Sequence, residues 1–287
     1  MKNIKFCLYL RGNRKIVFSK PAIMGIINVS PNSFYNPYVD LSSTFYTAEK
    51  MVHDGVDILD VGGEATNPLV NISTDSPSLQ VELDRLIPAI EGIKKRFDIL
   101  ISVDTSRPQV MKAAINVGAD IINDQRALQN AGALETVKEL NSPVCLMHFG
   151  SESKRLDSST CTFFLTTVKK DLQAIVERCE NHGISRNQMI IDLGFGQGHY
   201  GKSLKENFYL LNHLSEFLSF GLPILSGWSR KSMIGDVLLT QSPKDRLFGS
   251  IAADVLAVYQ GASIIRTHDV KASREAVYVA DYARRLM

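Results

Sequence analysis

Gly55-Val56-Asp57-Ile58-Leu59-Asp60 recurs as Gly118-Ala119-Asp120-Ile121-Ile122-Asn123 and again as Gly261-Ala262-Ser263-Ile264-Ile265-Arg266. In each copy a glycine closes a helical stretch and an apolar run opens three residues later, so each reads as one helix-to-strand junction. Outward from these three, short Ile- and Val-rich runs alternate with longer amphipathic stretches along the chain. That is the pattern of βα units around a parallel sheet. The runs are 22–28, 58–62, 100–104, 121–124, 144–148, 189–193, 224–227 and 264–268, and the helical stretches between them include 83–97, 108–117, 172–181 and 247–260. Eight strands in 287 residues, with no composition shift or Pro/Ser-rich linker, predict a (β/α)₈ TIM barrel built as one domain over residues 1–287. A doubly wound open sheet is the alternative. Residues 6–10 and 16–18, around Arg11-Gly12-Asn13, read as a short hairpin that closes the barrel bottom.

Apolar residues at 45% and charged residues at 22% exclude a disordered chain. Thirty-two Lys and Arg against thirty Asp and Glu leave a formal charge of +2, with no basic run, so neither nucleic acid nor a membrane surface is expected as a partner. Cys7, Cys145, Cys161 and Cys179 form no CxxC pair and have no His at zinc spacing, which predicts free thiols. The first residues lack a signal-peptide pattern and no run of about 18 apolar residues follows. A soluble, cytoplasmic protein is the expectation.

In such a barrel the polar residues at the C-terminal strand tips face the active-site mouth. Here nearly every tip is polar: Asn28, Asp60 with Glu64, Asp104, Asn123 with Asp124, His148, Asp192, Ser229 with Arg230 and Lys231, and Arg266 with His268 and Asp269. A single Asp or Asn after a strand commonly caps the next helix, and Thr105 or Ser106 is expected to cap the helix opening at Pro108. Seven or eight such residues on one face indicate a site. Asp104, Asn123 and Asp192 beside Lys231 and Arg266 suit a planar heterocycle bearing donors and acceptors, while Asn28, Arg266 and His268 suit an anionic leaving group or a metal-bound phosphate. No nucleophile–base pair stands out, and Ser229 lies outside any GxSxG motif.

These residues in this order resemble the dihydropteroate synthase family, from about Pro21 to the C-terminus. The motifs are Met24-Gly25-Ile26-Ile27-Asn28-Val29-Ser30-Pro31, Asp60-Val61-Gly62-Gly63-Glu64, Ile101-Ser102-Val103-Asp104-Thr105, Ile122-Asn123-Asp124, Leu146-Met147-His148, Ser229-Arg230-Lys231-Ser232-Met233-Ile234-Gly235 and Ile265-Arg266-Thr267-His268-Asp269-Val270. The resemblance implies a homodimeric barrel that joins dihydropterin-CH₂-diphosphate to p-aminobenzoate with Mg²⁺, releasing pyrophosphate and forming 7,8-dihydropteroate for folate synthesis. It implies a dissociative reaction, in which diphosphate leaves before the arylamine traps the pterin methylene cation. By the same resemblance Asp104, Asn123, Met147, Asp192, Gly227, Lys231 and Arg266 bind the pterin, with Asp104, Asp192, Lys231 and Arg266 carrying catalysis. Asn28 falls on the metal, and Asn28, Thr66, Asn67, Ser229 and His268 fall on the diphosphate and acceptor side.

Four departures fall in the catalytic parts. The family's first loop reads Thr-Pro-Asp-Ser-Phe-Ser-Asp, whereas this chain has Ser30-Pro31-Asn32-Ser33-Phe34-Tyr35-Asn36, in which both acids have become amides. The second-loop arginine is replaced by Asn67. After the sixth strand Gln197 replaces a pocket aromatic, about three residues are inserted, and the loop lysine is displaced to Lys202. Trp228 replaces a smaller residue before Ser229, where it either fills a pocket or offers a stacking surface to the second substrate. Two readings follow: drift within an active synthase, or a paralogue that binds pterin but uses another acceptor or is non-catalytic. A pterin-binding barrel of the methyltetrahydrofolate–corrinoid type is a third, disfavoured by Ser229-Arg230-Lys231-Ser232 and His268.

Overall fold

The computed structural model describes residues 6–29, 40–63, 76–149 and 161–286. A two-stranded antiparallel hairpin, β1 (Phe6–Tyr9) and β2 (Lys15–Phe18), precedes the barrel. Eight parallel strands follow: β3 (Ala22–Asn28), β4 (Ile58–Gly62), β5 (Leu100–Asp104), β6 (Ile121–Asp124), β7 (Val144–Met147), β8 (Met189–Asp192), β9 (Ile224–Ser226) and β10 (Ile264–Thr267). They close in sequence order, β10 returning to β3 with Ile264 opposite Ala22. The described helices are α1 (Leu41–His53), α2 (Leu79–Arg96), α3 (Pro108–Asn116), α4 (Ala133–Leu140), α5 (Cys161–Asn181), α6 (Leu204–Asn212), α7 (Ser232–Leu238), α8 (Leu247–Gln260) and α9 (Val270–Arg285). None is long and apolar enough to cross a membrane. The sheet closes, so the (β/α)₈ barrel stands and the open-sheet alternative falls.

The sequence repeat has a backbone cause. Gly55, Gly118 and Gly261 all adopt positive φ, at 85°, 119° and 111°, turning the chain out of a helix and into the next strand. Each strand then splits its side chains between two cores. Alternate residues such as Ile23, Leu59, Val61, Ile101 and Val103 pack outward against the helices. The opposite set, Met24, Ile58, Ile121, Cys145, Ile190, Leu225 and Ile264, fills the barrel's lower interior together with Phe6, Leu8 and Leu10 of the hairpin. The hairpin thus plugs the bottom, and the period of two fixes which residues higher on the same strands face inward.

One local expectation is corrected. The N-cap of α3 is Arg107, with no side-chain cap. Thr105 instead donates to Glu82, and Ser106 donates to Asp124, because both hydroxyls are buried beside carboxylates that need donors more than the helix end does.

Candidate active site

Counting by twos from the apolar lower layer gives the inward residues of the mouth. Ile58 leads to Asp60 and Gly62, Leu100 to Ser102 and Asp104, Ile121 to Asn123, Cys145 to Met147, Ile190 to Asp192, Leu225 to Gly227, and Ile264 to Arg266. Their centre is Arg266. Its Nε donates to Asp60 Oδ2 at 2.6 Å and its Nη2 to Asp104 Oδ2 at 2.7 Å. Asn123 Nδ2 donates to the same Asp60 oxygen at 3.1 Å. Burial opposes the Arg266 charge, but Asp60 and Asp104 outweigh it and hold the guanidinium above its ordinary pKa. The result is a flat cation fixed edge-on by two carboxylates, with its plane held at the mouth.

Lys231 and Asp192 stand beside this floor. Burial pushes Lys231 down to about 8, against the pull of Asp192, and pushes the Asp192 carboxyl up, against the pull of Lys231. Lys231 Nζ donates to the Phe195 carbonyl, and Asp192 Oδ1 accepts from the Gly194 amide at 2.8 Å. That turn needs its glycine: Gly194 has φ +66°, and a Cβ there would sit 2.0 Å from the His148 carbonyl oxygen. Met147 pairs in register with Asp192 and is buried. Gly227 lies against Arg266, whose Cβ would be 3.6 Å from a Cβ at 227.

At the tips of β9 and β10, Ser229 Oγ accepts from the His268 amide at 3.1 Å and lies 3.0 Å from His268 Nδ1. Burial, then Arg266, pushes His268 down to about 4, so the ring is neutral near pH 7. With Nδ1 accepting from the serine hydroxyl, Nε2 carries the ring proton as a donor. His268 and Asn28 line one cavity of about 470 Å³ that continues past Lys50 and Lys271. Asn28 Oδ1 and Asp104 Oδ2 lie 3.6 and 3.7 Å from where a Cβ of Gly62 would stand, so the missing side chain keeps this corner open.

The structure therefore brings Asp104, Asn123, Asp192, Lys231 and Arg266 to one face, and Asn28, Ser229 and His268 to its flank. Thr66 and Asn67, with the first-loop residues 30–36, Glu64 and the rest of the second-loop motif, lie outside the described residues. Three tip residues turn away from the mouth. Asp124 accepts from Ser106 and from the amides of Arg126 and Leu128, holding its own loop. His148 points its Nε2 at Asp171 on α5, 3.2 Å away. Arg230, at φ 58°, grips Asp269 with two bonds of 2.8 and 2.7 Å and the carbonyls of Pro243 and Lys244, so that its neighbours Ser229 and Lys231 reach the site.

Two departures acquire a position. Trp228 is fully buried between Phe195 and Phe208, ring centroids 4.7 and 5.2 Å away, so it fills core space and offers no stacking surface. Gln197 bridges Ser232 and Asp236 on α7. Lys202, from the same loop, is buried with its ammonium on the carbonyls of Gly194 (2.8 Å) and His148 (3.3 Å). The sequence reading missed that Asp60 is the principal partner of Arg266, and missed Gln125, whose Nε2 donates to both Asp104 oxygens at 3.0 and 2.9 Å. The signal for Gln125 was the period of two, since it follows Ile121 and Asn123 on the inward set.

A closed parallel barrel whose mouth gathers a buried Arg–Asp–Asn floor, with Asn28 and His268 at its flank, has the form of a small-molecule barrel enzyme. A family model for pterin binding enzymes matches residues 24–268, and the chain belongs to that family, among the dihydropteroate synthases. It is 41% identical over 274 residues to the dihydropteroate synthase of Haemophilus influenzae, covering 93% of this chain and 95% of that one. It is 43% identical over 266 residues to that of Escherichia coli, covering 92% of each. A solved dihydropteroate synthase from Coxiella burnetii in complex with pteroic acid superposes with a TM-score of 0.93 at 65% identity, over 98% of this chain and 100% of that one.

Proposed function

We propose that this chain is a dihydropteroate synthase, joining the pterinylmethyl group of dihydropterin-CH₂-diphosphate to the amine of p-aminobenzoate. The bond from the methylene carbon to the diphosphate oxygen breaks, a carbon–nitrogen bond forms, and the amine loses one proton. The observation that carries the reading is the convergence of the Arg266–Asp60–Asp104–Asn123 floor with Asn28, whose Oδ1 meets Asp104 Oδ2 over Gly62, and with His268 at the tip of the strand that carries Arg266. A heterocycle and the diphosphate it carries need such an adjacency.

In this reading Arg266 stacks on the pterin, and Asp104, Asn123, Asp192 and Lys231 hydrogen-bond its edge, with Met147 and Gly227 completing the walls. Their fixed charges are already in place before the bond breaks, so little reorganisation accompanies the developing cation. Asp104 and Asp192 supply the negative charge nearest that cation, and Lys231 and Arg266 hold the two carboxylates. His268 Nε2 and Asn28 serve the departing diphosphate, with Ser229 holding the His268 tautomer. Thr66 and Asn67 belong to the acceptor side.

Among the described residues no cluster of three His, Cys, Asp or Glu could hold a metal. Among the described residues Asn28 brings a neutral oxygen to the corner beside Gly62. That donor set fits Mg²⁺ delivered with the substrate, which keeps most of its waters and binds through phosphate oxygens and one or two protein oxygens. When bound it neutralises charge on the leaving diphosphate.

Val237, Leu238, Leu239, Phe248, Leu256 and Tyr259 are exposed on α7, α8 and the turn after α7, an apolar surface that supports a homodimer. The free thiols Cys7, Cys145 and Cys179 support a cytoplasmic location, and the continuous barrel supports one pterin-binding domain.

The test is pyrophosphate release from dihydropterin-CH₂-diphosphate and Mg²⁺, with and without p-aminobenzoate, alongside detection of dihydropteroate. Release matched by product is expected. Pterin binding without release or product would overturn the reading and leave a pterin-binding paralogue.

A further inference from the structure

The loop after β8 runs through a 3₁₀ turn, Gly198–Tyr200, closed by Gly201 at φ 73°. This turn delivers Tyr200 to the barrel mouth, 7% exposed. The ring fits because Gly196 has no side chain: a Cβ there would stand 2.5 Å from Tyr200 Cδ2. Lys231 Nζ lies 5.3 Å from the centre of the Tyr200 ring, within reach of a cation–π attraction, and Phe149 borders the ring at 6.2 Å. The phenol hydroxyl donates to Gln125 Oε1 at 3.2 Å. Gln125 Nε2 in turn bridges both oxygens of Asp104.

We propose that Tyr200 and Gln125 are a positioning pair that sets the orientation of Asp104 for the pterin. The proposal rests on the synthase reading above and deepens it. The polarity of the chain runs one way. A carboxylate only accepts, so the Gln125 amide must turn its NH₂ toward Asp104, which leaves its oxygen seeking a donor. Tyr200 is that donor. Asp104 is then held from one side by Arg266 and from the other by Gln125, and its carboxyl plane is fixed between them. Without the phenol hydroxyl the amide still turns its NH₂ to Asp104 but loses this tie at its oxygen end, so Gln125 and with it Asp104 gain a freedom that ligand binding must remove. The pair also links the loops after β6 and β8 to the tip of β5, so the pterin side of the mouth is ordered before substrate arrives.

The experiment compares Tyr200→Phe, Gln125→Leu and the double variant with the wild type. Tyr200→Phe keeps the ring and its packing and removes only the hydroxyl. Expected is a rise in KM for dihydropterin-CH₂-diphosphate of about three- to ten-fold in Tyr200→Phe, the range of one lost neutral hydrogen bond, and of about ten-fold or more in Gln125→Leu, which removes bonds to a carboxylate. KM for p-aminobenzoate should stay within about two-fold, and the double variant should match Gln125→Leu, because the two groups act in series. A merely structural role would move both KM values and the melting temperature together, with additive losses. Affinity for 6-hydroxymethylpterin, measured by calorimetry on the same proteins, reads the pair without turnover. If the wild type binds this pterin but makes no dihydropteroate, the synthase reading fails while the pair remains under test. If Tyr200→Phe leaves pterin affinity within about two-fold, or the two substitutions add, the proposal is overturned.

Discussion

Replacing Arg266 by Gln should destabilise the barrel mouth and do so mainly through Asp60. That carboxylate is fully buried, its Oδ1 has no hydrogen-bond partner among the described residues, and its Oδ2 is shared by Arg266 and Asn123. Arg266 is 18% exposed and Asp104 11%. Removing one member of a buried ion pair typically costs about 3–5 kcal/mol, because the other charge is left uncompensated; the partial exposure of Arg266 places this case near the lower end, about 3 kcal/mol. Glutamine is too short to reach both carboxylates and brings no charge. Asp60→Asn in the Arg266→Gln background removes the stranded charge while keeping the shape, and should return about 2 kcal/mol. Urea denaturation of the four proteins of the cycle measures this coupling directly. A loss under about 1 kcal/mol for Arg266→Gln would refute the account, as would an Asp60→Asn penalty equal in both backgrounds.

Lys202, pushed by burial to about 7 from 10.5, should make stability rise with pH. The unfolded chain keeps this proton to about 10.5 and the folded protein releases it near 7, so the unfolded state binds more protons between those values. From pH 7 to 9 the gain is about 2 kcal/mol, and Lys202→Met should lose that share of the slope in urea melts at the two pH values. Gly194→Ala meets the His148 carbonyl at 2.0 Å and should cost at least about 2 kcal/mol, read as a lowered melting temperature; an unchanged one would refute the turn argument. Chelation of Mg²⁺ should abolish turnover yet leave the melting temperature of the substrate-free protein unchanged, because the metal arrives with diphosphate. A clear drop on adding chelator would indicate a resident ion instead.

The strands were legible almost to the residue because each is a short apolar run closed by a polar tip, and because the glycines at 55, 118 and 261 mark the turns into three of them. Which tips serve the site was less legible, since a position in chain order does not say which way a side chain points. Asp124, His148 and Arg230 stand at tips as conspicuous as Asn123, Met147 and Lys231, yet they lie one residue out of step with the inward set and hold loops instead. The step of two, counted from the apolar lower layer, separates the two groups and would have found Gln125. Trp228 misled for a related reason: its neighbour Ser229 faces the site, which places Trp228 on the other side, among Phe195 and Phe208.

Tyr200 lies beyond any such count. It reaches the mouth along a loop whose path depends on Gly194, Gly198 and Gly201 in left-handed conformations and on the bare Cα of Gly196, and no periodicity encodes that path. Its arrival changes how the departures in this loop are understood. Gln197 is turned away toward α7, while an aromatic ring comes back to Lys231 from three residues further on, now carrying a hydroxyl that meets Gln125. The loop thus keeps a ring beside the lysine and ties it through Gln125 to Asp104. On the synthase reading that tie bears on how the heterocycle is held, and it is separate from the Arg266–Asp60 pair and the Ser229–His268 pair.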